Sequence, residues 1–294
     1  MNIISYAGWE RAYHWTNGII ELVATAEVGL RLIRFGLVGE ANEFAEYPAH
    51  LGRIGGDEWR IVGGHRLWHA PEHRTRTYVP DNAPITADPL PDGGWRLTQP
   101  TEPSTGIQKE IDIYIAEDAP SVRVVHRLWN RGMWPVVMAP WALSVMASGG
   151  TAVLPLPPRG SHHDHLLPNT SLILWPYTDM GDPRWTWGEE AVLLQQVVGA
   201  TRPQKIGSAC TPGWLAYANR GRLFVKQFAH QPNATYPDGG SSAELFTDGE
   251  MLEVETLGPL AEVGVGAAVE HTETWQLVAG VRQFTSAAEA MQLI

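Results

Sequence analysis

Apolar and polar positions alternate with a period of two along most of this chain. The clearest run is IQKEIDIYI at 107–115, where Ile107, Ile111, Ile113 and Ile115 share one face and Gln108, Glu110, Asp112 and Tyr114 the other. Successive strand side chains point to opposite faces, so this pattern predicts a strand with one buried side. Similar runs predict strands at 19–25, 30–37, 95–99, 121–130, 136–146, 171–175, 192–198, 214–218, 222–229, 243–247, 251–257 and 269–278. A short apolar strand is expected over Trp59, Ile61 and Val62, running into Gly63-Gly64. Pro140 cannot donate to a ladder, which predicts a sheet edge or a bulge within 136–146. Helical periodicity is confined to 287–293, where Ser286 and Glu289 make a capping box before an Ala-Met-Leu run.

Many short strands with almost no helix predict an all-β fold, a sandwich or barrel of antiparallel sheets. No repeat of fixed period suggests a propeller. The Pro-rich loop 155–170 is the best candidate boundary, but strands of similar character flank it. The expectation is therefore one large two-sheet domain over residues 1–294, with one sheet face left open for a ligand.

Composition narrows the partner. A net charge of −11, without a basic cluster, argues against nucleic acid. A neutral small molecule such as a carbohydrate fits better, and thirteen Trp supply platforms for sugar faces. No window has the apolar length of a membrane span. The start, MNIISYAGWERAYHW, lacks a basic segment followed by an apolar one, so a cytoplasmic location is expected. Cys210 is the sole cysteine, which excludes an intrachain disulfide and a cysteine-built zinc site; it reads as a small core residue. No phosphate loop, dinucleotide fingerprint or nucleophile elbow is present, and no cofactor is expected.

Candidate chemistry crowds into the stretch after Gly63-Gly64. His65, Arg66, Trp68, His69, Glu72, His73, Arg76 and Tyr78 precede Asp81 and Asn82 at a Pro-bounded turn. The two glycines allow a sharp turn or a close approach to a ligand. Trp and Tyr offer flat apolar faces, while Arg, His, Asp and Asn offer directional hydrogen bonds, the mixture a polyhydroxylated ring requires. The plain alternative is an irregular surface loop with one Trp anchored in the core. His65 and His69 could gather a metal on a helix, but Gly-Gly and Trp-His-Ala-Pro oppose a helix. On an extended chain residues 65, 67 and 69 share one face, and hydrogen bonding to a ligand is preferred to metal binding. His162, His163, Asp164 and His165 read as a solvated loop rather than a divalent site. Glu253 and Glu255, alternating with Leu252 and Val254, read as the outward face of a strand. Lys226 lies between Phe224 and Phe228 on one strand face, where a free charge is costly. It must point into a polar cleft or pair with a carboxylate. Lys109 and Lys205 show no comparable context.

The last third, from ATYPDGGSS to HTETWQL, resembles the closing segment of galactose mutarotase-like (aldose 1-epimerase-like) proteins. Tyr236, Pro237, Asp238, Gly239, Glu255, Pro259, His271, Glu273 and Trp275 carry the likeness, and Gly63-Gly64 is similar to a strand end in the hexose-phosphate branch. The resemblance implies a β-supersandwich with a carbohydrate-binding concave face. It also implies paired proton transfers by a late-strand Glu and a mid-chain His. In the strand before Pro237-Asp238, Lys226 and Gln227 stand near the place of that Glu, and Trp141 stands near the place of the His. Weak or absent galactose mutarotase activity is expected on that ground. The expected site therefore joins residues 65–82 to Trp141, Lys226 and Asp238, with His69, Glu72 and Lys226 as candidates for proton transfer. Three readings follow: a sugar isomerase or epimerase, a non-catalytic sugar-binding module, and a glycoside-active enzyme using Glu72 with Asp81 or Asp238.

Overall fold

A computed structural model describes residues 1–282, 284 and 286–292. Its strands, in chain order, are β1 (Asn2–Tyr6), β2 (Trp9–Thr16), β3 (Ile20–Thr25), β4 (Arg31–Leu37), β5 (His65–Ala70), β6 (Thr86–Pro89) and β7 (Trp95–Thr98). They continue as β8 (Ile107–Ile115), β9 (Ser121–Asn130), β10 (Val136–Val145), β11 (Thr151–Pro155), β12 (Leu172–Leu174), β13 (Trp185–Trp187) and β14 (Ala191–Gln195). The last are β15 (Gln204–Ser208), β16 (Trp214–Asn219), β17 (Arg222–Phe228), β18 (Ala243–Thr247), β19 (Leu252–Leu257), β20 (Ala261–Val263) and β21 (Ala268–Ala279), before the short helix α1 (Ala287–Met291). The expected all-β class holds. The predicted helix begins where expected, with the Ser286 side chain accepting from the Glu289 backbone N–H, while residue 293 lies outside the described residues.

The strands form two antiparallel sheets. The first runs β1-β2-β3-β4-β5-β10-β19-β18-β15-β12, with β20 attached to β10; the second runs β13-β14-β11-β16-β17-β21-β9-β8-β7-β6. Each sheet takes strands from both sides of the 155–170 segment. Between them lies the main core, which includes Phe35, Phe44, Phe224 and Trp275 with ring centroids 5.6–6.2 Å apart. The outer face of the second sheet is covered in part by α1, through Ala287 and Ala290 against Val153, Leu193 and Val225. No helix among the described residues is long and apolar enough to cross a membrane.

Two expectations about this scaffold change. The segment around Trp59, Ile61 and Val62 is not a strand; the strand follows the glycines, as β5. Pro140 sits at no edge, because β10 is interior, paired with β5 on one side. On its other side β20 pairs with Val136–Met138 and β19 with Trp141–Val145, so Pro140 falls in the gap where one partner ends and the next begins. A missing N–H costs no ladder bond there.

Candidate functional site

Alternation along β5 decides what the candidate stretch does. Arg66, Trp68 and Ala70 point away from the second sheet, while His65, Leu67 and His69 point toward it. Gly63 and Gly64 deliver the chain to this strand. A Cβ on Gly63 would lie 2.1 Å from the Ala45 carbonyl oxygen, and one on Gly64 2.5 Å from that of Leu32. Both have positive φ (102° and 70°), so the close approach that requires glycine is to neighbouring backbone.

On the outward face, Trp68, Trp141, Leu143 and Leu257 form an apolar cluster separate from the main core, with Trp59, Tyr78 and Leu260 against it. A cavity of about 260 Å³ opens here. Its walls carry Trp59, Trp68, Trp141, Tyr78 and Tyr177 as flat faces and Arg66, Glu72, Lys205, Asp248 and Glu253 as polar groups. Arg66 Nη2 donates to Glu253 Oε1 at 2.8 Å while its guanidinium lies 4.4 Å from the Trp68 ring centroid. Tyr78 donates its hydroxyl to Glu72 at the exposed rim.

Lys205 is the hub of this face. Its Nζ lies 2.8 Å from Glu244 Oε2 and 3.2 Å from Glu255 Oε2, and sits 4.8 and 4.7 Å from the ring centroids of Trp141 and Trp175. Trp141 Nε1 donates to the same Glu255 oxygen at 2.8 Å. Burial opposes the lysine charge, but Glu244 and Glu255 outweigh it and hold its pKa well above the ordinary value. One cation cannot balance every carboxyl around it. Burial first, then Glu255 and Asp238, push the Glu244 carboxyl well above the usual range, with Lys205 pulling the other way. Burial likewise raises Glu253, with Arg66 pulling the other way, and raises Asp238.

Five expected site residues meet at this cavity: Arg66, Trp68, Glu72, Tyr78 and Trp141. Asp238, at positive φ in its turn, stands close enough to Glu244 and Lys205 for each to act on its carboxyl. The others do not join them. Asp81 is tied to buried Arg31 at 2.9 Å, and the Asn82 amide donates to the carbonyls of Gly56 and Glu58, so both hold a loop. The His73 ring engages Thr75, and His73 and Arg76 are exposed outside the cavity lining. His162, His163, Asp164 and His165 are exposed, as read.

His65, His69 and Lys226 lie between the sheets. Lys226 Nζ reaches Glu273 Oε1 at 3.2 Å and the carbonyls of Val254 (3.1 Å) and Ala142 (3.4 Å), which belong to the first sheet. Of the two readings of Lys226, pairing with a carboxylate holds and the polar cleft does not. Glu273 also accepts from Trp275 Nε1 at 2.7 Å and from the Thr256 hydroxyl. The histidines continue this network with determinate tautomers. A carbonyl only accepts, so His126 Nδ1, 3.0 Å from the His271 carbonyl, carries the proton and leaves Nε2 as an acceptor. His65 Nε2 therefore donates to it at 2.8 Å, and His65 Nδ1 accepts from the Ser144 hydroxyl at 2.9 Å. His65, His126 and Glu273 do bring potential ligand atoms within 4.8 Å of one another. Those atoms are already engaged with each other, with Trp275 or with the Lys226 side of the cluster. His69 is different: both ring nitrogens are buried without a partner among the described residues, and burial drives its pKa down to about 3.

Sequence reasoning missed Lys205, Glu244, Glu253 and Glu255. Glu253 and Glu255 do leave the inter-sheet core, as alternation implied, but surrounding residues and loops bury them on the outer face. The one usable signal was two acids at alternate positions of a strongly apolar strand.

The chain matches no family model and no curated protein. Solved structures do share its fold. A galactose mutarotase-like protein from Lactobacillus casei superposes with a TM-score of 0.55 at 9% identity, covering 91% of this chain and 100% of that one. One from Clostridium acetobutylicum gives 0.57 at 7% identity over 95% and 98%. A galactose mutarotase related enzyme from Lactobacillus acidophilus gives 0.50 at 7% identity over 93% and 99%. The architecture is thus galactose mutarotase-like.

Proposed function

We propose that this chain binds a carbohydrate of about one ring in size on the outer face of its first sheet. The observation that carries the reading is the cavity built by β5, β10, β15, β18 and β19. Six aromatic side chains line it, and Arg66, Lys205 and Glu253 are held in place by ion pairs at its wall. Aromatic faces take sugar C–H groups, and fixed charged side chains take hydroxyls. At about 260 Å³ the space is small for a binding pocket, which favours a monosaccharide or the terminal ring of a chain. The shared architecture with proteins described as galactose mutarotase-like agrees with this reading by analogy of fold.

A second reading, isomerisation by paired proton transfer, has one observation in its favour. Glu253 lines the cavity with a raised pKa, as a general acid requires, and the rim carboxylate Glu72 lines the same cavity. Glu72 is the only one of the three proton-transfer candidates from the sequence that faces this space. The glycoside-active reading loses its pairing of Glu72 with Asp81, which Arg31 holds outside the cavity lining.

Saturation-transfer NMR with common monosaccharides tests the proposal, with anomer exchange followed in the same spectra. Ring protons of at least one sugar should receive saturation in the parent protein and lose it in Trp68→Ala. A signal that survives in Trp68→Ala, or none from any sugar, would refute binding at this face. Anomer exchange that vanishes in Glu253→Gln would add catalysis to binding.

A further inference from the structure

The charge balance of the cavity wall says what kind of sugar fits. Glu72, Asp248 and Glu253 line the cavity, and Glu244, Glu255 and Asp238 cluster with Lys205 at its wall. Against these six carboxyl groups the face sets two cations, Arg66 and Lys205. Both are paired: Arg66 through Nη2 to Glu253 at 2.8 Å, with its Nε and Nη1 buried, and Lys205 to Glu244 and Glu255 at 2.8 and 3.2 Å. The next cation, Arg31, is buried beyond them and paired with Asp81. Glu253, Glu244 and Asp238 all have carboxyl groups pushed upward by burial, with Glu255 adding to each. Among the described residues Glu72 at the rim has no cationic partner, only the Tyr78 hydroxyl, and its charge reaches Tyr177 and Asp238. An incoming phosphate or carboxylate would meet no cation without a carboxyl partner among the described residues, and would face the Glu72 carboxylate. An incoming ammonium would meet the exposed Glu72 carboxylate beside Tyr78 and Tyr177.

Resting on the carbohydrate reading of this site, we propose that it excludes anionic sugars and selects an amino sugar with a free ammonium group over the neutral parent. The Glu72 carboxylate is the specificity-determining group, because it is accessible and lacks a counter-charge. Coulomb attraction at a half-solvated site of this kind amounts to roughly three- to tenfold in affinity at low salt.

The test is isothermal titration of the full chain at pH 6 with four probes: D-glucosamine, N-acetyl-D-glucosamine, D-glucose and D-glucose 6-phosphate, repeated in the galacto series. The expected order is amino sugar tightest, neutral and N-acetyl forms about three- to tenfold weaker, and the phosphate without detectable binding. High salt should collapse the gap between amino and neutral forms, and Glu72→Gln should bring the amino-to-neutral affinity ratio toward one whatever it does to neutral binding. Circular dichroism confirms that the variant is folded. Equal binding of amino and neutral forms, or a phosphate that binds as tightly as glucose, overturns the charge selection and leaves the carbohydrate reading standing. Binding of none of the probes, in either series, overturns that reading and the selection with it.

Discussion

Replacing Lys226 with Met separates the two roles open to this residue from sequence. Lys226 is fully buried, and its Nζ lies 3.2 Å from Glu273 Oε1 and 3.1 Å from the Val254 carbonyl. Met keeps most of the apolar length and removes the charge. Glu273 then retains the Thr256 hydroxyl and Trp275 Nε1, but no cation. Removing one partner of a buried ion pair costs about 3 to 5 kcal/mol, most of it the penalty on the stranded charge. With an unfolding entropy near 2.1 cal/mol/K per residue over this chain, that corresponds to a Tm loss of about 5 to 8 °C. The cost must depend on pH. Burial opposes the Glu273 charge and Lys226 is the largest influence sustaining it, holding its pKa below the usual carboxylate value. Without Lys226 the folded pKa rises above the unfolded one, so Glu273 protonates on mild acidification and the defect shrinks as pH falls. Urea unfolding at pH 8 and pH 5 reads both effects, and Lys226→Met/Glu273→Gln should recover much of the loss at pH 8. Sugar binding by the folded variant should be unchanged. A single variant that loses under about 1 kcal/mol at pH 8, or that is folded yet loses ligand, would refute the assignment of Lys226 to the interior.

Three further outcomes follow from other residues. His69→Leu should be neutral or stabilising by about 1 kcal/mol at pH 7, since it removes two unpartnered buried nitrogens. It should also flatten the acid side of the stability profile. With the folded pKa near 3 and the unfolded one near 6.5, only the unfolded state binds this proton as pH falls through that window. The parent therefore loses about 1.4 kcal/mol per pH unit there from His69 alone, and an unchanged slope in urea unfolding would contradict the burial argument. Gly64→Ala should cost at least about 2 kcal/mol by the same measurement, because positive φ combines with a Cβ 2.5 Å from the Leu32 carbonyl oxygen. Cys210, fully buried with its thiol pKa pushed up to about 12, should resist a disulfide reagent in the native protein and react on unfolding; rapid native labelling would show the site is open.

The alternation of apolar and polar residues carried the fold class and most strand positions, because period two is a local property of a half-buried strand. The runs 107–115, 121–130 and 243–247 match their strands residue for residue. Local pattern was weakest where a strand is buried on both faces. β5 reads HRLWHA, with His and Arg mixed among Leu, Trp and Ala, yet every residue is buried, so it gave no apolar–polar alternation to detect. The glycines before it were legible as a backbone requirement, while their close partners, Ala45 and Leu32, were not. The same limit governs the site. Sequence placed Arg66, Trp68, Glu72, Tyr78 and Trp141 among candidates by their chemistry, and the fold gathered them. It also grouped them with His65, His69 and Lys226, because neighbours in sequence are not neighbours across a pleat. Which face of β5 meets solvent and which meets the second sheet depends on where that sheet lies. Lys205, Glu244 and Glu255 come from three strands that are adjacent only through the order β15-β18-β19. The raised pKa values of Lys205 and Glu244 arise from mutual distance and burial, quantities that exist only once the sheets are packed.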